Sequence, residues 1–231
     1  VRIAVLDLTA QSSPLFDGVP RAGEEIKHWL RHGKAGFSIE IVDIAHGADM
    51  PLPDQFDGYV IGGSEFGVYD DTPWMRPLRR FLKAARAVEK PLFGICFGHQ
   101  IMADTFGGKA EKSALGYQIG TREFQKDDRR FQANVWHQDQ VTKVPPGARV
   151  VCRADYCPVG ALTYDFPAMS VQFHPEYTSA RLRQLFALGR DRFINAADAD
   201  AAIASFENTS VDPALMAADT GRFFEGHTKV G

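Results

Sequence analysis

Cysteine is scarce, with three in 231 residues at Cys96, Cys152 and Cys157. An odd number cannot pair without leaving a thiol over, and such sparse usage in a chain this long points to a reducing compartment rather than a disulfide framework. Long apolar runs are missing too. The longest uncharged stretch, about Pro91 to Ala103, contains Gly, His and Gln and falls short of the roughly 18 to 20 residues a spanning helix needs, so no membrane partner is expected. Neither sign of charge dominates: 26 Lys plus Arg stand against 29 Asp plus Glu, a net charge of −3, which leaves no basic excess for nucleic acid. There is no internal repeat and no low-complexity tract beyond a short alanine cluster. Phosphate-binding glycine loops are absent, since Gly62-Gly-Ser-Glu-Phe-Gly67 does not have the Gly-x-Gly-x-x-Gly spacing. The opening Val-Arg-Ile-Ala-Val-Leu-Asp-Leu meets Asp7 early and lacks a small-residue cleavage site, so it reads as a strand rather than a leader, and a cytoplasmic location is expected.

What remains is an ordinary globular mix, 45% hydrophobic and 24% charged. Short β-branched runs at Ile3 to Leu8, Phe37 to Ile44, Tyr59 to Ile61 and Leu92 to Ile95 are bounded by Gly, Pro or Asp and predict buried strands. Between them, Leu78, Phe81, Leu82, Ala85 and Val88 share one helical face, with Thr72-Pro73 near its start and Pro77 expected to kink or restart it. Strands alternating with helices as far as residue 107 predict a parallel sheet with helices on both sides, an α/β/α layered domain. From Gly116 the strands come closer together, at about Tyr117 to Phe124, Phe131 to Trp136, Arg149 to Arg153, Gly160 to Tyr164 and Ala168 to Phe173, which predicts a smaller antiparallel region. A helix over about Ser179 to Ile194, an alanine-rich helix over Ala196 to Phe206 and a polar tail complete the chain. The expected division is a main domain over residues 1–195 and a helical appendage with a tail over 196–231.

Chemistry concentrates in Pro91-Leu-Phe-Gly-Ile-Cys-Phe-Gly-His-Gln100, an apolar strand running through Gly-x-Cys-x-Gly into a helix. A sharp strand-to-helix turn crowds the backbone, so it needs residues without Cβ beside it, and Gly94 and Gly98 stand in those places. Such a turn leaves Cys96 at a helix N-terminus, where unpaired amides favour thiolate. Taken alone, Cys96 is equally a small buried core residue. The second segment, Val171-Gln-Phe-His-Pro-Glu-Tyr177, puts His174 and Glu176 two residues apart, so that the carboxylate can orient the imidazole. His28 and His32 have helical i, i+4 spacing but no third ligand, and Cys152 and Cys157 are not spaced as Cys-x-x-Cys, so no metal and no redox pair are expected.

These two segments resemble the class I (triad) glutamine amidotransferases, whose marks are Pro-x-Gly-hydrophobic-Cys-x-Gly-x-Gln and a later His-Pro-Glu. The resemblance covers roughly residues 40 to 180 and implies a flavodoxin-like three-layer fold, with Cys96 as nucleophile, His174 as general base and acid, and Glu176 orienting the histidine. Tyr59-Val-Ile-Gly-Gly-Ser64 is similar to the family's strand followed by Gly-Gly-Pro, with Ser64 in place of proline. By that match Gly63 and Phe97 would offer their N–H groups as an oxyanion hole. Gln100 matches the glutamine that helps bind the substrate's amino-acid end, and Val135-Trp-His-Gln-Asp-Gln-Val141 looks like the loop lining the glutamine pocket, implying His137 and Gln138 as substrate-binding residues. The match is strongest to stand-alone members related to the glutaminase part of GMP synthase.

The resemblance implies hydrolysis of the side-chain amide of L-glutamine through a γ-glutamyl thioester, releasing ammonia, with no cofactor. The chain has no Ser-Gly-Gly-x-Asp-Ser loop of an ATP pyrophosphatase, so an ammonia acceptor would be a separate synthase subunit. The alternative is a stand-alone hydrolase of γ-glutamyl peptides with the same three residues. A regulatory or binding domain that keeps the fold without turnover is a second one. An esterase of the α/β-hydrolase type fits less well, because there the acid precedes the histidine in the chain.

Overall fold

Arg2–Asp7 forms the first strand, β1, and five of its six residues are buried in succession. Such a run, without polar alternation, is what a strand covered on both faces requires. In the computed structural model, which describes residues 1–10, 18–33, 36–192, 194–207, 209 and 211–228, β1 pairs in parallel with β2 (Ser38–Asp43) on one side and β3 (Gly58–Ile61) on the other. β3 pairs in parallel with β4 (Leu92–Ile95), and β4 with β11 (Ala168–Val171). Four antiparallel strands extend the same sheet: β10 (Cys157–Thr163), β9 (Arg149–Ala154), β6 (Gln118–Lys126) and β7 (Arg129–His137). The nine-stranded order is β2-β1-β3-β4-β11-β10-β9-β6-β7. The sheet is therefore mixed, parallel in the half expected to be so and antiparallel in the other.

Side-chain alternation divides the core between the two faces of this sheet. Ala4 and Leu6 of β1, with Tyr59 and Ile61 of β3, meet Leu78, Phe81, Leu82 and Ala85 of α2 (Met75–Ala87) and Ile101 of α3 (Phe97–Thr105). Ile3, Val5, Val60, Phe93 and Ile95 face the other way, onto Ile26, Trp29 and Leu30 of α1 (Ala22–Gly33). His28 and His32 lie on the exposed side of that helix. A third cluster joins Ile119 of β6 to Leu182, Leu185 and Phe186 of α4 (Ser179–Gly189) and to Ala199 and Ala202 of α5 (Ala196–Ala204).

Several expectations need correction. Pro77 does not kink α2: it is the third residue of the helix, where backbone N–H groups have no acceptor within the helix and a missing one costs nothing. Val88 follows the last turn and is 58% exposed, so it is not part of the buried face. α4 ends at Gly189, five residues before Ile194, and Ile194 instead folds back in a turn with its N–H on the Gly189 carbonyl. Two polar strands, β5 (Lys109–Lys112) and β8 (Asp139–Lys143), pair antiparallel as a separate ribbon. Their charged residues hide the signal, which reduces to Ala110 and Val141 facing the core.

The largest departure lies in the expected polar tail, where Pro213–His227 is a helix, α6. Asp212 caps it by accepting a hydrogen bond from the Ala214 N–H, and Pro213 opens it. Ala217 and Phe224 join the cluster formed by β1, β3, β4 and α1. The two helices touch so closely that a methyl group on Gly33 would fall 2.2 Å from the Ala217 carbonyl oxygen. No helix among the described residues is long and apolar enough to cross a membrane.

One polar group is sealed between layers. His99 of α3 is 0% exposed, with Nδ1 2.8 Å from Ser170 Oγ of β11 and Nε2 3.2 Å from the Val159 carbonyl of β10. A carbonyl only accepts, so Nε2 carries the proton and Nδ1 accepts from the serine. Burial pushes the His99 pKa down to about 3, against the carbonyl contact that raises it.

Two outcomes follow from this packing. Phe224→Ala should destabilise the protein by about 3–5 kcal/mol, read as a shift in urea midpoint at constant slope, although the residue lies far in sequence from every motif singled out above. His99 takes up a proton on unfolding between its ordinary value near 6.5 and about 3. Stability is therefore full above pH ~6.5 and falls on acidification at up to about 1.4 kcal/mol per pH unit from this residue. Urea titrations at pH 7, 6 and 5 should give a shallower decline for His99→Gln than for the parent chain.

Candidate active site

Three strand ends meet at one edge. β3, β4 and β11 are adjacent and parallel, so Gly62 and Gly63, Cys96, and the segment from Gln172 to Glu176 all leave the sheet at its carboxyl side, where open α/β sheets bind their ligands. The β4-to-α3 turn is as crowded as its sequence suggests. A methyl group on Gly98 would stand 2.1 Å from the Ile61 carbonyl oxygen, and one on Gly94 would stand 2.7 Å from Met102 Sδ and 2.8 Å from the Gly98 carbonyl carbon. Cys96 itself sits at φ 52°, ψ −103°, a sparsely populated conformation that costs on the order of 1–3 kcal/mol and persists only where its surroundings impose it. They do so through the Cys96 N–H on the Val171 carbonyl at 2.9 Å and the Gln100 N–H on the Cys96 carbonyl at 3.1 Å.

The Cys96 sulfur lies near enough to the His174 ring to favour its charged form, and His174 Nδ1 lies 2.7 Å from Glu176 Oε1. Both partners are buried, at 6% and 5% exposure. Burial alone would lower the His174 pKa, but the Glu176 carboxylate and the Cys96 sulfur outweigh it and hold the ring well above the usual imidazole value. The segment is pinned from β7: the Asn134 carbonyl accepts the His174 N–H at 2.8 Å, and Asn134 Nδ2 donates to the Tyr177 carbonyl at 2.8 Å. Thr121 of β6 fixes that amide by donating to Asn134 Oδ1 at 3.1 Å.

Gly63 borders both reactive side chains, since a methyl group there would stand 3.3 Å from His174 Cε1 and 3.9 Å from Cys96 Cβ. Phe97 buries its ring beside Trp74 at 5.7 Å between centroids, and as the first residue of α3 its N–H has no acceptor within the helix. Ser64, where the family pattern has proline, ties its loop down by donating to the Leu8 carbonyl at 2.8 Å, and Glu65 Oε1 accepts the Ala10 N–H at 3.0 Å.

Gln100 is brought to the same place. Its Nε2 donates to the Asp139 carbonyl at 2.9 Å and to Gln172 Oε1 at 3.2 Å, which turns the amide oxygen away from both. Gln138 lines the cavity directly. His137 lines the cavity as well, and its ring nitrogens meet protein groups: Nδ1 faces the Asp139 carbonyl at 3.0 Å and Nε2 the Tyr156 hydroxyl at 3.3 Å. Burial lowers its pKa to about 4. A neutral ring with both nitrogens engaged shapes the wall rather than offering a free hydrogen bond.

Two residues at the site carried no assignment from sequence. Asp139 is 8% exposed, and its Oδ2 is buried with no hydrogen-bond partner among the described residues. Burial raises its pKa, opposed by the Tyr69 hydroxyl and Lys112. Gln172 is fully buried beside Cys96. Both stand inside the segments already singled out, but only packing distinguishes them from ordinary strand-end polar residues. A cavity of about 610 Å³ is lined by Tyr69, Cys96, Gln138, His174, Leu185 and Ile194 among others. Among the described residues no group of three His, Cys, Asp or Glu side chains is placed to hold a metal ion, and all three cysteines are free and buried.

The chain is 29% identical over 178 residues to gamma-glutamyl peptidase 5 of Arabidopsis thaliana, covering 69% of each protein. It is 37% identical over 129 residues to a glutamine-hydrolyzing GMP synthase subunit of Methanothrix thermoacetophila, covering 52% of this chain and 67% of that one. The crystal structure of a glutamine amidotransferase from Thermotoga maritima superposes with a TM-score of 0.79 at 20% identity, over 97% of this chain and 98% of the other, which establishes the shared fold, C-terminal helices included. A family model described as glutamine amidotransferase class-I matches residues 21–188, and the chain belongs to that family.

Proposed function

We propose that the chain hydrolyses the side-chain amide of glutamine and related γ-glutamyl amides, with Cys96 as nucleophile, His174 as base and acid, and Glu176 holding the imidazole. The observation that carries this reading is the placing of Cys96, at the N-terminus of α3, beside the His174 ring, which Glu176 holds at 2.7 Å. His174 takes the thiol proton, and the sulfur adds to the amide carbonyl while the N–H groups of Gly63 and Phe97 receive the developing oxyanion. His174 then gives its proton to the nitrogen, the C–N bond breaks, and ammonia leaves a γ-glutamyl thioester on Cys96. Water surrenders a proton to the same ring and its oxygen to the acyl carbon. The C–S bond breaks, and glutamate and the thiol are released. The raised pKa of His174 favours the charged ring that gives its proton to the leaving nitrogen.

The glutamyl end of the substrate belongs on the Gln100 side. The unpartnered Oδ2 of Asp139 is a buried acceptor in the cavity wall, suited to an α-ammonium group, with Lys112 on the same wall for the α-carboxylate. Ammonia would pass to water or to a separate synthase subunit. Hydrolysis of γ-glutamyl peptides is the second reading, and the cavity supports it: at about 610 Å³, with Leu185 and Ile194 also in its lining, it has room for a leaving group larger than ammonia.

Incubation with glutamine and a panel of γ-glutamyl dipeptides, with glutamate measured after fixed times, tests the scheme. Cys96→Ala should lose about 10⁴-fold or more, and Glu176→Gln about 10³- to 10⁴-fold. Acid quenching should trap a glutamyl adduct on Cys96 in the parent chain, and glutamate release that survives Cys96→Ala overturns the scheme. Asp139→Asn should raise KM about 10- to 100-fold with a smaller change in kcat, as expected for loss of a charged hydrogen bond to bound substrate.

A further inference from the structure

Gln172 has no part in the scheme above, yet its side chain touches the reacting sulfur. The residue follows β11, is 0% exposed, and anchors its own N–H on the Gly160 carbonyl at 2.9 Å. Its amide lies between two groups of the site. Oε1 accepts from Gln100 Nε2 at 3.2 Å, and Nε2 lies 3.7 Å from Cys96 Sγ. The orientation is fixed by chemistry: the amide nitrogen of Gln100 only donates, so the atom facing it must be the oxygen of Gln172, which leaves the NH₂ group aimed at the sulfur. The sulfur has a second neighbour, the Trp136 carbonyl oxygen at 3.7 Å, which can only accept.

These two neighbours serve different states of the sulfur. A thiol has a proton to give and can place it on the Trp136 carbonyl or on His174. A thiolate has none to give, is repelled by a carbonyl, and gains from any N–H pointed at it, more strongly than a neutral thiol does. Among the described residues, the Gln172 amide is the side-chain N–H within hydrogen-bonding distance of the sulfur, with the His174 ring close by. The amide is held from behind by Gln100, which is in turn held by the Asp139 carbonyl. The sulfur is thereby joined to the wall on which the substrate's glutamyl end is placed.

We propose that Gln172 is a further catalytic residue, whose amide donates to the Cys96 sulfur, stabilises the thiolate over the thiol, and keeps the sulfur turned toward His174. The inference rests on the reading of Cys96 as nucleophile, but its effect on the sulfur is measurable without any substrate.

The test is the pH dependence of Cys96 alkylation by iodoacetamide, followed by mass spectrometry, in the parent chain, Gln172→Met and Gln172→Glu. Cys152 and Cys157 do not compete, being buried with pKa values pushed up to about 12. The titratable groups that feel the Cys96 charge are His174, Tyr156 and Cys157. Burial keeps Tyr156 and Cys157 protonated, so His174 alone changes charge with Cys96 over the range studied. Gln172→Met keeps the length and removes the donor, and it should move the alkylation midpoint up by about one pH unit, a tenfold loss of thiolate at a given pH. Gln172→Glu keeps an acceptor for Gln100 but faces the sulfur with oxygen, and should move it further. With glutamine as substrate, kcat should fall about tenfold or more in both variants while KM changes less than about threefold.

A purely structural role predicts the opposite pattern: a lowered melting temperature with an alkylation profile that superposes on that of the parent chain, and this result overturns the proposal. So does a fall in kcat with no change in alkylation. Should Gln172→Met fail to fold, Gln172→Glu and Gln100→Met decide the matter, the latter loosening the amide from behind and shifting the midpoint in the same direction by less. If the parent chain releases no glutamate from any γ-glutamyl amide but the alkylation shift is present, the proposed function falls and the contact between Gln172 and the sulfur stands.

Discussion

The site depends on how tightly α3 is pressed against the end of β3. No side-chain atom fits between Gly98 and the Ile61 carbonyl, where even a methyl group would stand only 2.1 Å away. That contact sets the angle at which α3 leaves β4 and holds Cys96 in a conformation that a free chain avoids. It also brings Gly63, two residues past Ile61, alongside the reactive pair. Parallel pairing of β3, β4 and β11 supplies the rest, because neighbouring strands of one direction deliver their next residues to the same edge.

Burying this chemistry costs free energy, and the fold offsets it with hydrogen bonds that are all directional. Glu176 and His174 lie almost out of solvent, a setting that favours neutral groups, yet the carboxylate on one side and the sulfur on the other raise the imidazole's pKa. His99 and His137, buried as deeply, meet carbonyl and hydroxyl oxygens instead of charges, and their pKa values fall to about 3 and about 4. Three buried histidines are thus shifted in opposite directions by the groups that stand beside them.

The helices after the last strand belong to the same construction. α6 closes the α1 face of the parallel strands through Ala217 and Phe224. α4 and α5 pack on Ile119 of the antiparallel extension, and Leu185 and Ile194 from this region reach the cavity. Ser205, at the end of α5, accepts the Thr121 N–H at 2.9 Å. Thr121 in turn holds Asn134, which holds the main chain at His174 and Tyr177. The C-terminal region therefore supports the His174 segment through a continuous line of hydrogen bonds.

Much of this was legible in the order of residues. A doubly covered strand is a continuous apolar run, and the runs at β1, β3 and β4 stand out for that reason. Glycines two positions either side of Cys96, and a histidine and a glutamate two apart, are local patterns that need no knowledge of the fold. The polar ribbon of β5 and β8 and the helix α6 were not legible, since the ribbon's buried apolar residues reduce to Ala110 and Val141, and α6 sets Ala217 and Phe224 among polar residues. Nor could sequence order say that Gln172 turns its amide to sulfur, that Asp139 keeps an oxygen unpartnered, or that His137 spends both ring nitrogens on the protein. Local sequence determines strand, turn and residue type because those depend on covalent neighbours. Which polar atoms meet, and which are left for a ligand, depends on groups far apart in the chain, and only their packing decides it.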